Sequence, residues 1–302
     1  MASEGTYYVP EQSRFPIIVG LALGLSAYGA GQMMIDGNAT ALILGMAVFW
    51  VTLACWWNTV ISEHMQGLTD TQLKRSYVWG IGWFIFSEVM FFAAFFGALF
   101  YVRTVALPTL GGWGMGAENP EAWGGFEAEW PLMTTPDQSL NGEEAAMLGP
   151  KKEFGAFPGW AQLYHWLPLW GTIILMSSSW TVHLAHHHIK HGDRRALFNF
   201  WLGLTVLLGA TFLGLQAYEY YEAYAHYGLT LQSGIYGTTF FMLTGFHGFH
   251  VAMGTIMLAI QLARSLKGHF RQDDHFGFEM ASWYWHFVDV VWVMLFFFVY
   301  IL

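Results

Sequence analysis

Residues 38–62 read NATALILGMAVFWVTLACWWNTVIS, 25 residues without an Asp, Glu, Lys or Arg. A helix rises about 1.5 Å per residue, so such a stretch covers the roughly 30 Å hydrocarbon core of a bilayer. The same reading extends in both directions. Phe15 to Ile35, Phe154 to Ile189, Ala196 to Tyr218 and Ala223 to Ala263 carry no formal charge, while Ser76 to Val102 and Met280 to Leu302 carry one each. Seven helices are predicted, near 15–35, 39–62, 76–106, 163–190, 196–226, 233–265 and 280–302, in one all-α polytopic membrane domain over residues 1–302. Composition agrees: 11% of the 302 residues are charged and 55% hydrophobic, against roughly 25% charged in a soluble domain.

The one cysteine, Cys55, lies inside the second span. A single thiol excludes an intrachain disulfide, a two-thiolate copper centre and a C-x-x-C-H haem attachment. The N-terminus lacks the basic segment and short apolar core of a cleavable signal, since Glu4 and Glu11 precede Arg14, so the first span is expected to be retained. Basic residues orient membrane helices by gathering on the cytoplasmic side. A cytoplasmic N-terminus places Arg14, Lys74, Arg75, Lys190, Arg194, Arg195, Arg264, Lys267 and Arg271 inside and leaves only Arg103, Lys151 and Lys152 outside. The C-terminus and the connection 107–162 are then external. That connection is rich in Gly and Pro and holds Glu118, Glu121, Glu127, Glu129, Asp137, Glu143, Glu144 and Glu153, a large part of the formal charge of −9. It reads as a solvated acidic loop, with a basic partner as the alternative; no nucleic-acid partner is expected.

Glu88 stands in the middle of the third span, within Phe84-Ile85-Phe86-Ser87-Glu88-Val89-Met90-Phe91-Phe92. An ionised carboxylate at the bilayer centre costs about 2.5–3.5 kcal/mol on insertion scales, so this group is expected to be protonated, paired or turned to a polar cleft. In the last span His286 and Asp289 share a face at i, i+3 and read as a structural pair. His183 and His187, His187 and His191, and His247 and His250 have spacings that can present two imidazoles to a metal. The run His186-His187-His188 falls where a helix end meets a basic turn, however, where imidazoles meet head groups or terminal carbonyls. No metal site is assigned to these histidines. Trp56, Trp57, Tyr220, Tyr221, Trp283, Tyr284 and Trp285 sit at span ends as interfacial anchors.

Particular words in the chain go further. Phe86-Ser87-Glu88-Val89-Met90-Phe91-Phe92, Ala185-His186-His187, Leu215-Gln216-Ala217-Tyr218-Glu219-Tyr220-Tyr221, Tyr236-Gly237-Thr238-Thr239-Phe240-Phe241 with Gly245-Phe246-His247-Gly248-Phe249-His250-Val251, and His275-Phe276-Gly277-Phe278-Glu279 with Trp283-Tyr284-Trp285-His286-Phe287-Val288-Asp289-Val290-Val291-Trp292 resemble, in order, cytochrome c oxidase subunit III of bacteria. The resemblance implies seven transmembrane helices split by a lipid-filled cleft into a two-helix and a five-helix bundle. It implies an accessory subunit of a proton-pumping oxidase in a bacterial inner membrane, packed with a catalytic subunit I and a copper-bearing subunit II that hold the haem and copper. The chain itself is expected to hold no redox cofactor, no metal and no catalytic residue, to bind phospholipid, to support proton uptake and to protect the oxidase during turnover. Glu88 matches the family's buried acid near the proton-uptake side and the lipid cleft, reactive towards carbodiimide. Trp57 and His250 fall on cleft-lining motifs, and Arg264, Lys267 and His269 match a basic cluster at a lipid head group. A cytochrome c or another respiratory complex is the basic partner the acidic loop would suit.

The sequence departs from the family in its longer loop, Gly111 to Phe157, in the turn Glu63-His64-Met65-Gln66-Gly67-Leu68, where relatives can have His after Gln-Gly, and in Leu167-Pro168-Leu169-Trp170-Gly171-Thr172. A related quinol oxidase subunit is the alternative within the same class, and a freestanding transporter using Glu88 with His247 and His250, or a membrane haem protein, are alternatives outside it. Neither internal repeats nor broken helices of the transporter kind are visible.

Overall fold

The computed structural model describes residues 12–113, 119–155, 157–191, 195–270 and 274–302. Glu4, Glu11, Glu118, Arg194 and Arg271 of the expectations above lie outside them. Among the described residues seven long helices carry the fold: α1 Phe15–Asp36, α2 Thr40–Met65, α3 Thr71–Tyr101, α4 Leu167–Lys190, α5 Arg195–Glu222, α6 Gly234–Leu266 and α7 Phe276–Leu295. Among the described residues there is no strand. Local chemistry sets the ends. Gly37 closes α1 in the left-handed region at φ 70°, where a Cβ would be strained. Asp70 opens α3 by accepting from the Leu73 backbone N–H at 2.7 Å, the usual work of an N-cap carboxylate.

Six of these helices, with the turns that extend them, are long and apolar enough to cross a membrane: Phe15–Asp36, Thr40–Met65, Thr71–Leu110, Arg195–Tyr227, Gly234–Leu266 and Phe276–Ile301. The chain is therefore a multi-pass helical membrane protein. The exception is α4. The helix is long enough at 24 residues, but it begins only at Leu167, ends on Lys190 and is rich in Ser, Thr and His. Those groups have partners on neighbouring helices: Thr172 Oγ1 accepts from Trp292 Nε1 at 3.0 Å, Ser178 Oγ from Trp285 Nε1 at 3.0 Å, and Thr181 and Thr205 share a bond of 2.8 Å. Interhelical bonds of this kind let a polar helix sit within an apolar bundle.

The chain divides into two compact units, residues 1–80 and 81–302. In the first, α1 and α2 pair closely through small residues. A Cβ on Gly29 would overlap the backbone of Ala41 and Leu42, and one on Gly45 would stand 2.5 Å from Ser26 Oγ. In the second, α4 packs on α5, α5 on α6, α6 on α7 and α7 back on α4. The centre of that ring is Trp285. Its indole would collide with a Cβ on Gly209 of α5 or on Gly254 of α6, at 2.8 and 2.7 Å, and its N–H reaches Ser178 of α4. One side chain thus ties four helices together. The residues of α3 in this unit meet α6 and α7 through long side chains, Phe91 edge-on to Phe246 at 4.9 Å and Phe84 stacked on Tyr284 at 6.0 Å.

The acidic connection is more structured than its composition suggests. Phe126 and Leu132 are buried, Trp130 packs edge-on against Tyr236, and Arg103 stands over the Trp130 ring at 5.0 Å. The Tyr236 hydroxyl donates to the Phe154 carbonyl at 2.9 Å. This segment is folded onto the start of α6, its buried apolar side chains continuous with the core of the helices.

Candidate functional site

Glu88 of α3 and His250 of α6 are 162 residues apart in sequence and meet with Oε2 2.9 Å from Nε2. The imidazole's other nitrogen, Nδ1, lies 2.6 Å from the Phe246 carbonyl one turn earlier on α6. A carbonyl oxygen only accepts, so Nδ1 carries a hydrogen. If His250 is neutral, Nε2 is then the acceptor and the carboxyl must donate; if the ring is an imidazolium, the carboxylate accepts. Either way the contact holds one proton between two groups. Phe92 edge-on at 5.2 Å and Tyr284 stacked at 6.4 Å wall the ring.

The pair opens on a groove of about 400 Å³ lined by Phe84, Phe91, Phe246, Phe249, Met253 and Met257. The Glu88 side chain is 21% exposed and that of His250 8%, so the acid stands at the groove wall and is not sealed in the core. The lining is almost wholly apolar.

The remaining residues singled out from sequence are placed apart. His247, one turn before His250, turns to the other side: its ring is fully buried, stacked on Trp292 at 5.2 Å and edge-on to Phe212 at 5.8 Å. The two histidines therefore serve different neighbours, and both nitrogens of His250 are already engaged. His286 Nδ1 is 3.7 Å from Asp289 Oδ2, beyond hydrogen-bond range, and its close partner is Ser179 Oγ at 2.9 Å. Trp57 is half-buried in the first unit.

At the end of α6 the three basic residues matched to a lipid head group have different surroundings. Arg264 is buried, its guanidinium donating to Gln261 Oε1 at 3.1 Å and lying 4.9 Å over the Phe270 ring. Lys267 is exposed and His269 half-buried. Adjacency on a helix brought Arg264 and Lys267 near one another; the packing of Phe270 turned one of them inward.

Two groupings escaped the sequence reading. Glu219, just past the charge-free run to Tyr218, is buried because α5 continues to Glu222; its Oε2 accepts from Tyr300 at 3.1 Å and Gln216 at 3.2 Å. His186, near the end of α4, meets Glu279 and His275 at the start of α7. Gln216 and His275 stand within one helical turn of the acids they approach, but Tyr300 and His186 are 81 and 93 residues away, and nothing local signals those contacts.

Comparison with known proteins gives one consistent result. A family described as Cytochrome c oxidase subunit III matches residues 5–120 and 147–302. Apart from the first four residues, what is unmatched lies in the acidic connection. Proteins named Cytochrome c oxidase subunit 3 are similar to this chain along nearly their whole length. That of Danio rerio is 36% identical over 293 residues, covering 96% of this chain and 94% of its own. That of Xenopus laevis is 38% identical and that of Sus scrofa 35%, each over 291 residues with the same coverage of both chains.

Proposed function

Because the chain belongs to the cytochrome c oxidase subunit III family, we propose that it works as the accessory subunit of a proton-pumping cytochrome c oxidase, holding no redox centre itself and supporting proton uptake by the subunit that does. At the coarser level it is a multi-pass membrane subunit of that oxidoreductase complex. In the finer reading it packs beside a catalytic subunit I and a copper-bearing subunit II, which supply haem and copper chemistry, in an inner membrane with its N-terminus cytoplasmic. Phospholipid is part of this picture, and the groove beside Glu88 has the apolar lining an acyl chain requires.

The observation that supports the finer reading best is the Glu88–His250 contact, at 2.9 Å with its tautomer set by the Phe246 carbonyl. A group pair holding one proton inside an apolar groove can stay neutral in lipid and still exchange that proton. No electron-transfer role is needed for it.

The test is removal of the chain from the purified oxidase. The haem and copper spectra of the remaining complex should be intact. Its initial rate should be near normal in acid and fall at alkaline pH, where proton supply limits, and activity should decay with turnover. Loss of a haem or copper band on removal would overturn this reading in favour of a redox-carrying chain. An unaltered pH profile with no turnover decay would leave the subunit without the proton-supply role.

A further inference from the structure

From the convergence of His186, His275 and Glu279 we infer that this chain holds a structural divalent-metal site of the zinc class, joining the end of α4 to the start of α7. The inference concerns the chain's own fold and does not depend on the proton-supply reading.

His186 stands in the last turns of α4, His275 caps α7 and Glu279 lies in its first turn. The Nε2 atoms of both histidines approach the same carboxylate oxygen, Glu279 Oε1, each at 3.3 Å. Among the described residues this is the one trio of His, Cys, Asp or Glu side chains whose ligand atoms all fall within 4.8 Å of one another.

Three features favour a cation over a hydrogen-bonded cluster. First, 3.3 Å is long for a hydrogen bond to a carboxylate, which prefers about 2.7–2.9 Å when charge-assisted. It equals the edge of a tetrahedron built on zinc bonds of about 2.0–2.1 Å, roughly 3.3–3.4 Å. Second, His275 is 9% exposed in its side chain, yet neither ring nitrogen has a hydrogen-bond partner among the described residues. A buried unpartnered imidazole nitrogen costs about 1–3 kcal/mol, and a metal bond removes that cost. Third, the donor set is chemically right. Two neutral imidazoles and one carboxylate suit a borderline divalent cation and leave a fourth position for water. His186 and Glu279 are 25% and 30% exposed in their side chains, which gives an ion a way in. Lys190, one turn beyond His186, interacts with it electrostatically and opposes a cation, against the charge of Glu279.

Spacing along a single helix singles out other histidines than this trio. His187 and His191 have metal-like i, i+4 spacing, but their rings lie tilted against each other at 4.3 Å, with His191 Nδ1 bonded to the His187 carbonyl. The useful partner of the run is His186, on another face of the helix.

The experiment uses the purified complex containing this chain, stripped with a chelator, dialysed and titrated with zinc chloride. Bound zinc is counted by mass spectrometry, and the retained subunit by gel. Wild type should bind one more zinc per complex than His275→Asn or Glu279→Gln, and affinity at that site should fall by more than about 100-fold, since even changes to groups that merely support a ligand cost about 10–100-fold. His187→Asn with His191→Asn should leave the count unchanged. Zinc-edge anomalous diffraction on the wild type reads the site without any variant and should place the ion between α4 and α7. Equal zinc counts in wild type and His275→Asn, a lost ion in the His187/His191 variant alone, or no anomalous peak at the trio would overturn the inference.

Discussion

Replacing Glu88 by Gln and by Ala separates the two forms of its contact with His250. A glutamine amide can still donate to Nε2 while Nδ1 donates to Phe246, so Glu88→Gln keeps the bond and removes the proton. Glu88→Ala leaves Nε2 without a donor on a side chain that is 8% exposed. A hydrogen bond between helices in lipid contributes about 0.6 kcal/mol on average and at most about 1.7, and an orphaned buried acceptor costs about 1–3. Glu88 stands at the groove wall, 21% exposed, where competing groups reach it, so the low end applies. If the neutral O–H···N form prevails in the membrane at neutral pH, Glu88→Ala should cost about 0.5–1.5 kcal/mol and Glu88→Gln less. Breaking an ion pair instead leaves a buried charge and costs about 3–5 kcal/mol. Unfolding of the purified chain by sodium dodecyl sulfate in mixed micelles gives the energies. Infrared difference spectra of Glu88→Gln should show the loss of a protonated carboxyl band. A cost above about 3 kcal/mol, together with loss of a carboxylate band only, would refute the neutral form.

Reporter fusions after Leu302 and within Gly111 to Phe157 should both read external; a cytoplasmic signal from either would defeat the orientation drawn from the basic residues. Lys267→Ala should reduce tightly bound phospholipid measured by mass spectrometry, because Lys267 is exposed. Arg264→Ala should chiefly lower stability by removing the contacts with Gln261 and Phe270, and equal lipid loss in both variants would contradict this division. Trp285→Ala should cost about 3–5 kcal/mol in the same unfolding assay, whereas a loss under about 1 kcal/mol would mean that its slot between Gly209 and Gly254 collapses freely.

How far a residue could be read from sequence followed the range of the force that placed it. Membrane spans were legible because the cost of moving each residue into hydrocarbon is set mainly by that residue and adds along the chain, and because lipid leaves the backbone no partner but itself. Hence the run 38–62 announced a helix, and α2 spans Thr40–Met65. α4 is the instructive departure. Its Ser, Thr and His residues leave it outside the helices apolar enough to span by composition; the Thr172 and Ser178 hydroxyls donate to carbonyls of their own helix, and Trp292 and Trp285, more than 100 residues on, fill their acceptor sites.

Sequence alone thus determined the helical membrane fold, the absence of a paired-thiol site, and the words that mark the family, each a property of residues taken singly or in short runs. It placed Glu88 in the bilayer and required something to compensate it. Tertiary structure decided what that was: His250 as its partner, His247 sent to Trp292 instead, Arg264 turned under Phe270 while Lys267 stayed outside, and His186 delivered to His275 and Glu279. Helical spacing fixes which residues lie near one another on one rod. Which face of the rod is covered, and by what, depends on side chains from other helices packing at van der Waals distance, and that information is spread over residues that only folding brings together.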